Sequence, residues 1–337
     1  MPEAPCFVVS KAGVAHIPAG KRFSGLHPRN VAGILRHMHE FLQQMINGLS
    51  LGAIYALIAL GYSMVYGVLK FINFAHGDVL MVGAFAGYYG APFLHRILPD
   101  PWMTTAAVLV WSMLVCAFLG VVIERLAYRP LRSQPKLAVL ITSIGVSLLL
   151  SYGGQILFGV NQKAFPDLLP PIRVPLGQGV TVSGNHLLVM AVTLVLLIAL
   201  RETILRTRFG LALRALSQNR DAAALMGVNS NAVISLTFAL GSALAGAAGV
   251  LYAMNIHSVE PLMGTLPGIK AFVAAVLGGI GSLPGAAIGG LLLGLSECLL
   301  GGSDFSSYRD AIAFGILILI LLVKPSGLFG GSVSEKV

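Results

Sequence analysis

Charge is what this sequence has least of. Asp, Glu, Lys and Arg make up 10% of its 337 residues, against about 25% in ordinary soluble domains. A chain of this length folded in water needs charge to cover its surface, so a soluble globular enzyme and a disordered chain are both excluded. Cysteine is scarce too. Cys6, Cys116 and Cys298 form neither a disulfide framework nor a metal-ligand spacing, and the last two lie in apolar runs and read as small core residues. None of the 8 histidines falls in an H-E-x-x-H pattern, which leaves an intramembrane metal hydrolase without its motif. No G-x-x-x-x-G-K-[ST] loop is present either, so the chain has nothing to cradle the phosphates of ATP. Acidic residues number 13 against 22 basic ones, for a net charge of +9. The basic residues sit in short segments between apolar runs, which is the positive-inside bias of a membrane protein and not a nucleic-acid footprint.

What is abundant is apolar. The set AVILMFWYC makes up 56% of the chain, and the mean hydropathy is +0.84. The runs are apolar on all sides, whereas the strands of a membrane barrel alternate. The class is therefore an all-α polytopic membrane protein. Its 40 glycines suit helices that pack closely through small residues. Gly241, Ala245 and Gly249 are spaced by four, as are Gly285 and Gly289, and Gly290 and Gly294.

A membrane span needs about 20 mostly apolar residues. Such runs lie near 41–69, 74–94, 104–123, 137–157, 187–205, 232–253, 268–283, 285–300 and 308–323. Those at 74–94, 268–283 and 285–300 are short or interrupted. The first carries His76 and Asp78, with Asn73 just before it, and the other two flank Gly278, Gly279 and Gly281. Broken backbone at membrane depth survives only where protein or a water-filled cavity covers it, and such breaks point to a transport pathway. The glycine stretch is compatible with a plain turn and with a re-entrant break. Asp78 near a helix start fits a capping role, which is favoured over direct contact with a solute. Lys270 and Glu297 both read as reaching the external surface, Lys270 by snorkelling.

Orientation follows from the loops. Arg125, Arg129, Arg132 and Lys136 mark 124–136 as cytoplasmic, and Arg201, Arg206, Arg208, Arg214 and Arg220 mark 201–220 likewise. The stretches 158–186 and 254–267 carry little charge and read as external. Three crossings before residue 124 would place the basic N-terminus outside, so one segment is expected to be miscounted, with 74–94 failing to cross or dividing in two. Residues 1–40 are polar, with no apolar core of a signal peptide. They read as a disordered or misassigned extension, with translation expected to begin at Met38. The membrane domain is expected over 41–330, and a cytoplasmic tail over 331–337.

The long polar loop 206–231, RTRFGLALRALSQNRDAAALMGVNSN, carries the clearest functional signal. Asp221 favours the positive end of a helix, Ala222 to Met226 propagate it, and Gly227 can end it in a left-handed cap. This is either an ordinary amphipathic connector or a short helix that offers small side chains to a partner groove.

Asp221–Gly227 reads D-A-A-x-x-x-G, which resembles the E-A-A-x-x-x-G coupling motif of ABC importer permeases with Asp in place of Glu. NGLSLGAIYALIALGYSMVYGVLKFINFAHGD (Asn47–Asp78), ERLAYRPLR (Glu124–Arg132), FVAAVLGGIGSLPGAAIGG (Phe272–Gly290) and KPSGLFG (Lys324–Gly330) resemble the branched-chain amino-acid permeases of such importers. The resemblance runs in order over about 41–330. It implies a permease bundle of about eight to ten helices with a discontinuous second helix. It also implies ATPase-coupling residues at Arg214, Asp221, Ala222, Ala223 and Gly227, and a pathway or helix break at Asn73, His76, Asp78, Gly278, Gly279 and Gly281. The implied partners are a sister permease, two cytoplasmic ATPases that use ATP in place of this chain, a periplasmic binding protein and the bilayer of a bacterial inner membrane. No cofactor, metal or nucleic acid is expected. Urea or short amides are alternative solutes. An ion-coupled carrier is a rival that would need more buried carboxylates, and an intramembrane enzyme is remote.

Overall fold

The structure is a computed structural model that describes residues 28–132, 134–175, 180–302, 306–324 and 327–329. Its helices in chain order are α1 (Pro28–Leu69), α2 (His76–Ile97), α3 (Pro101–Ile123), α4 (Lys136–Phe158), α5 (Gly184–Arg206), α6 (Arg208–Gln218), α7 (Arg220–Leu225), α8 (Ser230–Ile256), α9 (Thr265–Gly278), α10 (Leu283–Gly301) and α11 (Arg309–Val323). A π-helical turn, Glu124–Tyr128, and a 3-10 turn, Arg129–Leu131, continue α3. The strands are short ribbons. β1 (Lys163–Ala164) pairs antiparallel with β4 (Ser258–Val259), and β2 (Arg173–Pro175) with β3 (Thr181–Ser183).

Each apolar run expected to be helical is a helix, and the fold is an all-α membrane bundle. Among the described residues, 6 helices are long and apolar enough to cross a membrane by themselves. α9, with 14 residues, is about 21 Å long against a hydrocarbon core of about 30 Å. α2 has length enough but carries His76, Asp78, His95 and Arg96 near its ends and Pro92 inside.

α1 begins at Pro28, earlier than the boundary expected at residue 41. Proline at the first helical position gives up no needed N–H and has the right φ. Val31, Ile34, Leu35, Met38, Phe41, Leu42 and Met45 then repeat at helical spacing, a period overlooked in reading 1–40 as unstructured. Residues 28–40 are therefore helical, while 1–27 and the expected tail at 331–337 lie outside the described residues.

The packing repeats itself. α1 packs on α10 and α8 on α3; α2 packs on α3 and α8, α9 on α10 and α1; α4 packs on α2 and α11 on α9. Exchanging α1–α4 with α8–α11 maps this pattern onto itself. The two sets also run in opposite directions. At one end Arg132 Nη1 donates to Asn231 Oδ1 at 2.7 Å, so the two basic loops share a face and α8 starts there. At the other end β1 joins β4, so the stretches expected to be external meet. The Thr181 N–H there donates to Gln43 Oε1 at 3.0 Å, so α1 starts on that face. The bundle thus contains two inverted sets of helices, joined through α5, α6 and α7.

This placement corrects the expectation that 74–94 fails to cross. α2 is one helix, and its Tyr89 hydroxyl accepts from Lys163 Nζ at 2.8 Å, on the face where β1 and β4 lie. α1 and α3 run between the two faces, and the 70–75 segment with α2 returns the chain to the face of β1 and β4, so the N-terminal end of α1 lies opposite the basic loops. The short basic loops 124–136 and 201–220 outweigh the N-terminal charges in setting orientation.

Both inverted sets contain a break. α1 runs into Lys70 at φ +56° and α8 into His257 at φ +55°, both in the left-handed region. A break follows each: irregular backbone at 70–75 before α2, and β4 then irregular backbone at 260–264 before α9. The two breaks meet: a Cβ placed on Gly77 would come within 2.6 Å of the Gly264 carbonyl oxygen and 3.1 Å of the Gly268 Cα. Only hydrogen side chains let the backbones approach so closely. The depth is fixed by Asp78, which bonds to Ser147 at the centre of α4. The start of α2 therefore lies near the middle of the membrane. α1 is buried throughout 52–65 and α8 throughout 241–251, whereas α4 and α5 leave most side chains open to lipid or a partner.

Candidate functional site

The loop between α5 and α8 folds into two short helices with different roles. α6 is a connector. Its Gly210, Leu213 and Leu216 face inward, and Arg214 Nη1 donates to the Ile204 carbonyl. Arg214 thus closes the C-terminal end of α5, where a cation is favoured, and does not project towards a partner. α7 is the projecting piece. Asn219 caps it, its Oδ1 accepting from the N–H groups of Asp221 and Ala222, both at 3.0 Å. Gly227, at φ +83°, ends it. The Val228 N–H donates to the Ala223 carbonyl and the Gly227 N–H to the Ala224 carbonyl, both at 3.0 Å, the bond pair of a Schellman cap. The expected left-handed cap is present.

The side chains on α7 differ from the expectation of a small outward face. Ala222 is exposed, but Ala223 is 5% exposed and packs inward. The outermost groups are Leu225 and Met226, at 88% and 85% exposure. Two large apolar side chains on a rigidly capped turn form a knob. Met suits such a surface because its unbranched chain adapts to a partner. Nothing in the sequence singles out this pair, because both residues serve equally well as helix formers.

The break before α2 gathers Asn73, His76 and Asp78, as expected, and buries all three to 4% exposure or less. Asn73 Oδ1 accepts from the Tyr128 hydroxyl at 2.5 Å, and its carbonyl accepts from the His76 N–H at 3.2 Å. Asp78 does not cap α2, since Ala75 holds that position without a side-chain bond. Its carboxylate accepts instead from the hydroxyls of Ser147 and Ser151, each at 2.5 Å, and ties α2 to α4. The His76 ring stands edge-on to Tyr62 at 4.7 Å between centroids. Its Nε2 has no hydrogen-bond partner among the described residues. In this conformation the three residues hold the break together and do not face an opening.

Gly278, Gly279 and Gly281 form a plain turn and not a re-entrant break. Gly279 and Gly281 have φ of +102° and +91°, and the Ser282 N–H donates to the Gly279 carbonyl at 3.0 Å. Ser282 Oγ then caps α10. The N–H groups of Leu328 and Phe329 cover the end of α9 by donating to the carbonyls of Leu277 and Gly278 at 2.9 and 3.0 Å. The second break lies at 257–264, where the sequence signals only a loop. Beside it Leu262, Leu266 and Ile269 expose 53%, 57% and 41% of their surface, while Pro267, Gly268 and Lys270 turn inward. The irregular part, 260–264, descends from β4 to the depth of Gly77, where backbone cannot face lipid, so its open side faces water or protein.

A family model described as the permease component of branched-chain amino acid transport systems matches residues 44–321. The chain belongs to this permease family. A branched-chain amino acid transport permease, BraD of Pseudomonas aeruginosa, is 44% identical over 89% of this chain and 99% of its own. The permease LivH of Escherichia coli K12 is 41% identical over 88% of this chain and 98% of its own. The ribose import permease RbsC of Haemophilus influenzae is 26% identical over 85% of this chain and 86% of its own.

The permease also contains two buried ion clusters that the sequence did not reveal. Lys270 and Glu297 do not reach the surface. Lys270 Nζ lies 2.6 Å from Glu297 Oε1 and 2.8 Å from Asp310 Oδ1, and the Tyr55 hydroxyl donates to Glu297 Oε2 at 2.9 Å. This cluster joins α1, α9, α10 and α11. The second surrounds Glu124, which is fully buried. It pairs with Arg132 and accepts from the Ser235 hydroxyl at 2.5 Å. Nothing in the linear sequence pairs Lys270 with Glu297 or Glu124 with Ser235. Buried charge at apolar positions is the only signal that could have called for a partner.

Proposed function

We propose that this permease is a membrane subunit of an ATP-driven importer for branched-chain amino acids. It works in a bacterial inner membrane with a sister permease, two cytoplasmic ATPases and a periplasmic binding protein. The chain itself binds neither ATP nor a cofactor and catalyses no reaction. The observation that carries this reading is identity above 40% to BraD and LivH along nearly their full lengths. Ribose import by RbsC stands at 26% identity, which favours the amino-acid branch over the sugar branch. The capped knob on α7 suits an ATPase groove, since it projects from the face that carries the basic loops. The solute path runs by the junction of the two breaks, where Leu262, Leu266 and Ile269 offer an aliphatic wall.

Reconstitution of the complete transporter in vesicles tests the reading. Uptake of leucine, isoleucine and valine is expected only when ATP is supplied inside and the liganded binding protein outside. Uptake by this chain without ATPases would establish an ion-coupled carrier or channel instead. Uptake of urea or short amides with no uptake of aliphatic amino acids would move the substrate within the family.

A further inference from the structure

The π-helical turn Glu124–Tyr128 lies between the loop that carries α7 and the break that opens α2, and it is bonded to both. Towards the loop, Glu124 accepts from Ser235 Oγ at 2.5 Å and pairs with Arg132. Arg132 in turn donates through Nη1 to Asn231 Oδ1 at 2.7 Å. Asn231 and Ser235 stand in the first two turns of α8, which follows directly from the Gly227 cap. Towards the break, the Tyr128 hydroxyl donates to Asn73 Oδ1 at 2.5 Å, and its ring packs on Phe71 at 5.3 Å. Glu124 and Tyr128 are both fully buried; the Tyr128–Asn73 bond is shielded from water, while the Arg132–Asn231 bond lies at the surface.

We propose that this turn is the mechanical link between the ATPase-docking helix α7 and the break that precedes α2, with Glu124 and Tyr128 as positioning residues. The inference rests on the reading of α7 as the docking element. A π-helical turn holds one residue more than the α-helical ladder accommodates, and such turns recur at functional sites. Loss of the extra residue from the ladder would rotate everything beyond it, and the proposal assigns the turn this second arrangement beside the one seen. A pull on the start of α8 moves Glu124 through Asn231, Arg132 and Ser235. The same turn carries Tyr128, and Tyr128 holds Asn73 in the break. A two-state element biased from both ends is what coupling between distant sites requires.

Tyr128→Phe tests the link in the complete transporter, because it removes one hydroxyl and keeps the ring. A cysteine at position 225 reports docking through crosslinking to the ATPase. With docking intact, Tyr128→Phe is expected to hydrolyse ATP at the basal rate, to lose stimulation by liganded binding protein, and to transport at least tenfold more slowly. A role in stability alone would lower the amount of assembled protein and leave the stimulation ratio unchanged. Ser235→Ala, at the loop end of the link, is expected to reduce the stimulation ratio about threefold, and it decides the matter should Tyr128→Phe fail to assemble. Normal stimulation and transport in either assembled variant overturns the proposal. Absence of the crosslink from position 225 in the otherwise native transporter overturns the docking reading instead.

Discussion

Gly227→Val is expected to abolish transport while the protein still inserts into the membrane. The reason is conformational. Gly227 sits at φ +83°, and a Cβ built there would meet nothing within 4 Å, so no clash stands in the way of a larger residue. The left-handed conformation costs a residue with a side chain about 1–2 kcal/mol, and more where it is β-branched. The Schellman bonds from Val228 to Ala223 and from Gly227 to Ala224 form only in that conformation. Valine therefore unwinds the end of α7 and moves Leu225 and Met226, the exposed pair. Gly227→Asn separates this account from a need for glycine itself, because asparagine tolerates the left-handed region. The expected order is near-native transport for Asn, and loss of ATPase binding and transport for Val. Both are read as ATPase co-purification and ATP-dependent uptake in vesicles. Equal transport by the two variants would show that the cap does not position the docking knob.

Local signals of this kind were legible in the sequence. Gly227 declares its conformation because few other residues adopt it, and Asn219 and Asp221 mark a helix start within two residues of each other. The long apolar runs were legible because lipid requires them to be continuous. The tertiary arrangements were not. Residues 257–264 carry a histidine, a glutamate and a proline, the composition of a surface loop; they do start beside β1 at the external face, and it is the contact of Gly264 with Gly77 that shows them running inward. The run at 278–285 has more glycine than either break and proved to be a turn, because glycine serves tight turns and close packing equally well. Asp78 looked like a cap because its position in α2 suits one, and the two serines that engage it lie on α4. Residues 28–40 were misread for a simpler reason: their helical period was present but diluted by Arg36, His37, His39 and Glu40. The candidate coupling site was thus readable where it depends on backbone conformation, and unreadable where it depends on which distant side chain supplies the partner.

Lys270→Ala is expected to be the most damaging single change in the membrane interior. Lys270 sits between Glu297 and Asp310, at 2.6 and 2.8 Å, and both Lys270 and Glu297 are 5% exposed. Removing the cation leaves Glu297 buried without its charged partner, with the Tyr55 hydroxyl still donating to it. Breaking a buried pair on one side costs about 3–5 kcal/mol, far more than the net worth of the intact pair. The loss falls on the contacts among α1, α9, α10 and α11 and therefore reaches the helix that begins at the junction of the two breaks. Replacing the cluster as a whole tells a different story. Lys270→Met combined with Glu297→Leu and Tyr55→Phe removes every member that needs a polar partner, apart from Asp310, which is 43% exposed at its side chain and can turn outward. Such apolar replacement of a buried ion pair is often neutral or stabilising. The thermal midpoint of the purified protein should therefore fall sharply for Lys270→Ala and recover in the triple variant. If the triple variant regains stability without transport, the pair serves the conformational change. If it regains both, the pair is a structural lock between α9 and α10. A single Lys270→Ala variant as stable as the native protein would mean that water reaches Glu297, and that the junction is wetter than the packing of α1, α9 and α10 implies.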